Sequence, residues 1–157
     1  MKITKKIGLL LLGVLLVAQL FRPEKNNGDL SSVAFFEAET NPPQDVKLIL
    51  RNACYDCHSN ATNYPWYNAI TPVNYWLESH IQDGKKHFNA SNWEGNTTKR
   101  KDHKFEELIE EVEEGEMPLT SYTWVHANAK LTEAQIQALT NWAKQVRVTY
   151  GMLPRPE

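Results

Sequence analysis

Two cysteines and a histidine stand together in Cys54-Tyr55-Asp56-Cys57-His58, and the 157-residue chain has no other cysteine. In this C-x-x-C-H spacing both thiols can reach the two vinyl groups of one porphyrin, and the next imidazole then falls beneath the iron. The pattern is the attachment signature of a c-type haem, with Cys54 and Cys57 as covalent anchors. His58 is the expected proximal ligand, through a neutral ring nitrogen. Other uses of a cysteine pair fit less well. A thioredoxin-like redox pair follows a strand in a βαβ unit, and this pair follows a helical pattern. A zinc site needs two further ligands, but there is no second C-x-x-C and no H-x3–5-H. A disulfide across a two-residue loop is strained and weakly stabilising.

One axial position then remains to be filled. Met117, in Gly115-Glu116-Met117-Pro118, offers a soft thioether suited to low-spin iron. Pro118 removes a backbone donor and stiffens the loop around it. The alternatives are a methionine that merely fills a core gap, a histidine ligand (His80 or His126), or an open position. His87 and His103 flank a polar stretch and are expected in solvent. Tyr64, Trp66, Tyr67, Trp76, Tyr122, Trp124 and Trp142 are candidates to line the pocket or hydrogen-bond a propionate, with core packing an equal explanation for each. Lys47 and Arg51 are expected on a solvated helix face.

The elements that must position these groups read as helices, because no stretch alternates with period two for long. One is expected to open near Asn41-Pro42-Pro43 and to carry Val46, Ile49, Leu50 and Ala53 into Cys54. The next follows Thr71-Pro72, with Val73, Trp76, Leu77 and Ile81 on one face and His80 on the same buried side. A third starts near Asp102, carries Phe105, Leu108, Ile109 and Val112, and stops at Gly115; its run of glutamates is the wet side. The fourth has a capping box, Thr132 to Gln135, flanked by Leu131 and Ile136 at staple positions. The expected fold is an all-α, cytochrome c-like bundle of about four helices, with long aromatic loops around a haem and a hydrophobic helix in front.

That front segment bears on location. Lys2, Lys5 and Lys6 precede the uncharged run Ile7–Phe21, the layout of an export signal. Val17-Ala18-Gln19 is a poor cleavage site, so a retained signal anchor is preferred to a cleaved peptide, although the run is short for a span. Residues 1–22 are read as the anchor or signal peptide, 23–41 as a linker that partly docks, 42–150 as the haem domain and 151–157 as a C-terminal tail. The haem domain is expected in the periplasm, held to the bacterial inner membrane by one pass, or soluble there after cleavage. The leader holds four of the 17 basic residues, so the remainder has 13 against 19 acidic ones. An acidic exported domain excludes a nucleic-acid binder and favours partners with a basic docking face.

The chain resembles the haem-binding domain of the Bacteroidetes type, small exported proteins with one C-x-x-C-H. The resemblance rests on Cys54-Tyr55-Asp56-Cys57-His58-Ser59-Asn60, Tyr64-Pro65-Trp66-Tyr67, Gly115-Glu116-Met117-Pro118 and Leu131-Thr132 leading into Trp142-Ala143, across roughly Pro42 to Gln145. The last two pieces are also similar to class I cytochromes c. The resemblance implies one covalent haem c per chain at Cys54 and Cys57, His58 proximal and Met117 distal; Leu119 stands where a second proline is expected. The function that follows is that of a monomeric electron carrier between membrane or periplasmic redox proteins, not a catalyst. A haem-based sensor or a peroxidase-like enzyme with a labile sixth ligand is the alternative.

Overall fold

A computed structural model of the chain describes residues 2–151; Met1 and residues 152–157, which include Met152 and nearly all of the expected tail, lie outside the described residues. The described chain is helical, and its only β-type pairing is an isolated antiparallel bridge between Asn27 and Ala61. Helix α1 spans Lys2–Ala18, and α2 spans Ala34–Thr40. Helix α3, Gln44–Ile49, runs through a π-turn at Leu50–Cys54 into α4, Tyr55–His58. The larger helices are α5, Val73–His87, α6, Thr98–Glu113, and α8, Glu133–Thr149, with the short α7, Thr120–Thr123, between the last two.

The core forms where α6 packs on α8. Phe105, Ile109 and Val112 face Leu139, Trp142, Ala143 and Val146, and α3 adds Val46 and Ile49. The capping box at Thr132 and Gln135 forms as the sequence predicts and starts α8 cleanly. Phe36 of α2 is completely buried at the centre, with ring contacts to Trp93, Phe105 and Trp142 at centroid distances of 5.0, 6.2 and 6.1 Å. Thr40 at the end of α2 takes the Trp142 indole hydrogen bond on its carbonyl at 3.0 Å. The stretch read as a linker thus carries a core helix. Its start is also docked: Gly28 N donates to the Asn60 carbonyl at 2.6 Å.

Several local expectations are corrected. Asn41 does not cap α3; it ends α2 in the left-handed conformation with φ of 42°. Helix α6 starts earlier than Asp102, because Thr97 accepts from Arg100 N as its N-cap. Trp76 and His80 are not on the buried face of α5, which is made by Asn74, Leu77 and Ile81. The four expected helical segments are joined by α2, so the simple four-helix count does not describe the fold. At the front, α1 is 17 residues long, and no helix among the described residues is long and apolar enough to cross a membrane.

Candidate functional site

The cysteine pair sits where one helix changes pitch. At the π-turn the Tyr55 N–H bonds to the Leu50 carbonyl, five residues back, and α4 then carries Asp56, Cys57 and His58 through its single turn. Such turns recur at functional sites because they re-aim the side chains that follow. Both cysteines are unpaired and half-buried. Burial, helped by the charge of Cys57, pushes the Cys54 thiol up to about 12. Burial, helped by Asp56, pushes Cys57 up to about 11. A redox-active pair needs an easily formed thiolate, and these surroundings oppose one.

Helix α5 lies directly over α4. A β-carbon at Gly84 would stand 2.8 Å from the Cys57 carbonyl oxygen and 3.1 Å from its Cβ, so only glycine permits this approach. The contact brings the end of α5 to His58. Its Nδ1 lies 3.0 Å from both the Gly84 and the Phe88 carbonyl oxygens. Carbonyls only accept, so Nδ1 carries the proton and Nε2 is the ring nitrogen left for a ligand role. Burial lowers the His58 pKa while the two carbonyls oppose it, and the imidazole is held neutral. Phe88 also sets its ring edge against the imidazole at 5.8 Å. Next to the carbonyls, Lys104 Nζ bonds to the His87 carbonyl.

The long loop after α6 closes on the same place. Tyr122 OH donates to Asp56 Oδ2 at 2.7 Å, and Asn63 N donates to Oδ1 at 2.8 Å. Tyr67 OH and His126 Nε2 are 2.8 Å apart, and the His126 ring stacks on Tyr122 at 4.2 Å. Asp56, between the two cysteines, thus ties the loop carrying Met117 to α4. Met117 itself is half-buried at the edge of the core, as is Cys54, with its N–H on the Glu111 carbonyl at 2.9 Å. Of the other candidates, His126 is engaged by Tyr67, and His80 turns Nδ1 back to the Trp76 carbonyl of its own helix at 2.8 Å. Lys47 and Arg51 face Glu37. Trp66 and Trp124, neighbours of Tyr67 and His126, are 80% and 81% exposed, whereas Trp142 belongs to the core.

Sequence reasoning named Tyr67 and Tyr122 but missed Asp56 and Gly84. The signals were a carboxylate placed inside the C-x-x-C-H and a lone glycine within a helical pattern, which usually marks close packing. Among the described residues no three His, Cys, Asp or Glu side chains converge to hold an ion by themselves. A porphyrin supplies four of its iron's ligands, so a protein that binds haem needs only axial groups. A hydrogen-bonded neutral histidine beside two thiols fits that demand.

No curated protein and no solved structure matches the chain. A family model described as haem-binding domain matches residues 13–145, reaching back through the stretch before Pro42 and into α1. The chain belongs to the haem-binding domain family.

Proposed function

We propose that this protein carries one haem attached through Cys54 and Cys57, with His58 and Met117 as axial ligands, and moves single electrons between partners at the outer face of a bacterial inner membrane. The observation that carries the reading is His58: it follows the cysteine pair directly and is oriented through Nδ1 by two backbone carbonyls. That hold on Nδ1 fixes the ring, selects the tautomer and raises the basicity of Nε2. The haem, when bound, supplies a one-electron couple, and thioether ligation raises its potential relative to a second histidine. Asp56, Tyr122, Tyr67 and His126 hold the Met117 loop against α4. Trp66 and Trp124 flank that loop contact on the surface, where a docking partner reaches the site. The tether is supported by α1, whose apolar side chains from Ile7 to Val17 are exposed.

The test is the optical spectrum of the chain matured with covalent haem, oxidised and reduced, beside Met117→Ala. A sulfur-to-iron charge-transfer band in the wild type, absent in the variant, is expected from His/Met ligation. A high-spin spectrum, or a low-spin one that Met117→Ala leaves unchanged, removes Met117 as a ligand. Rapid carbon monoxide binding by the reduced wild type would then favour the sensor or peroxidase-like function.

A further inference from the structure

The surface where α1 meets the domain is built in a way that haem binding does not require. Gln19, just past α1, grips the Thr71 backbone with both ends of its amide: Nε2 donates to the Thr71 carbonyl at 3.0 Å, and Thr71 N donates to Oε1 at 2.9 Å. Thr71 Oγ1 donates to the Phe21 carbonyl at 3.4 Å. Three bonds of i→i−3 type, ending with Phe21 N on the Ala18 carbonyl, carry the helical path past α1 to this clamp. The exit of the apolar helix is therefore fastened to the loop that opens α5.

Around the clamp the exposed side chains are large and apolar. Phe21 is 64% exposed, and Ile70, Tyr75 and Trp76 lie between 43% and 48%. Tyr75 and Trp76 are on the first turn of α5, turned away from its inner face of Asn74, Leu77 and Ile81. Farther along the helix the exposed positions become Ser79, Gln82, Asp83, Lys86 and His87. Apolar character thus falls off with distance from α1, and Arg22 follows Phe21 at the exit.

The length of the apolar run gives this gradient a use. Ile7–Phe21 rises only about 23 Å at about 1.5 Å per residue, less than the roughly 30 Å of a hydrocarbon layer. A short span is accommodated by local thinning, which draws the flanking protein toward the bilayer. Tyrosine and tryptophan are the side chains that settle at headgroup level, with a polar tip in water and a ring toward the acyl chains. We propose that Ile70, Tyr75 and Trp76 form a shelf bedded in the headgroup layer of the bilayer that α1 enters. The domain is then held in one orientation, and because Gly84 of α5 and Phe88 just past its end supply the carbonyls on His58, the haem-binding face has a fixed height above the lipid. This inference rests on the reading of α1 as a membrane anchor.

The experiment uses the full-length, haem-loaded chain in vesicles of phosphatidylethanolamine and phosphatidylglycerol containing a phospholipid with a photoreactive diazirine near its glycerol. Vesicle flotation reports the anchor, and mass-spectrometric mapping of lipid adducts reports the shelf. The expected result is flotation, with adducts on residues 70–76 as well as on α1. A Tyr75→Ser/Trp76→Ser double variant keeps its haem spectrum and its flotation but loses adducts on that segment at least fivefold. Flotation with adducts confined to residues before Arg22 overturns the shelf and leaves the anchor standing. A chain that does not float overturns the anchor, and the shelf with it.

Discussion

The core between α2, α6 and α8 is closed by rings set against rings, whereas the face around Cys57 is closed by hydrogen bonds. Phe36, Trp93, Phe105 and Trp142 contact one another edge-on or stacked, and each is at most 4% exposed. Around Cys57, Asp56 accepts from Tyr122 and Asn63, Tyr67 bonds to His126, and His58 is held by two backbone carbonyls with the Phe88 ring edge beside it. Apolar packing is non-directional and yields most folding stability, while hydrogen bonds fix direction at modest net gain. The first region therefore carries stability and the second carries aim. Variants that separate the two properties test this division.

The largest effect is expected in the ring core. Phe36→Ala removes a fully buried ring and leaves a cavity among Trp93, Phe105 and Trp142. It should cost about 3–5 kcal/mol in urea unfolding of the haem-free chain. The matured protein that does fold should keep the wild-type visible spectrum. A spectrum that changes along with stability would break the division, because it would mean that ring packing sets the iron's surroundings.

A polar knot at the rim of the core gives the next effect. Glu39 accepts from Lys101 at 2.7 Å, from Tyr150 at 2.7 Å and from the Trp93 indole at 3.2 Å. Burial works against the Glu39 carboxylate, but the bonds from Lys101, Tyr150 and Trp93 outweigh it and hold its pKa below the ordinary 4.5. The folded state thus favours the charged form, so this stabilisation is present above pH 4.5 and is lost as pH falls below it. Glu39 lies exposed at the rim, where solvent screens its bonds, so Glu39→Gln should lose about 1 kcal/mol near neutrality. The gap to wild type should narrow in denaturation curves taken below pH 4.5. A gap independent of pH would show that shape, not charge, is what Glu39 supplies.

How legible these regions were in the sequence follows from the range of the interactions. The Thr132–Gln135 box is local and states the start of α8, and the spacing of Cys54, Cys57 and His58 is equally local and carries the proposed chemistry. The family resemblance was likewise readable from contiguous motifs, and the family match bears it out. Phe36 was not, because its short run lies between polar turn formers and its partners are from about 50 to 100 residues away. The face of α5 was misread for a different reason. Asn74 is buried and donates to Thr71 Oγ1 at 3.0 Å, so a polar residue takes a place that hydropathy assigns to Trp76. That rotation is what puts Trp76 on the surface. The Asp56–Tyr122 bond joins loop and helix across 66 residues and has no local signature.

The two regions meet at Phe88, whose ring packs on Phe36 at 5.6 Å and sets its edge on His58 at 5.8 Å, and Gly84, one turn before it, offers the sharpest test with the smallest energy. Alanine favours a helix interior by about 1 kcal/mol over glycine, so Gly84→Ala would stabilise α5 in isolation. In the fold its β-carbon meets the Cys57 carbonyl oxygen at 2.8 Å, and a backbone atom cannot turn aside as a side-chain tip would. The helix must move outward, at a strain cost of about 1–3 kcal/mol, leaving a net loss of about 1 kcal/mol. The same movement shifts the Gly84 and Phe88 carbonyls that hold His58 Nδ1. Weakening that hold makes the imidazole a poorer donor and should move the potential and the ligand-sensitive bands of the haem-loaded chain. Small instability with a clear spectral shift is the expected pairing, measured by urea unfolding beside redox titration. An unaltered potential would mean that His58 is positioned by its attachment to α4 alone, with no directing role for α5.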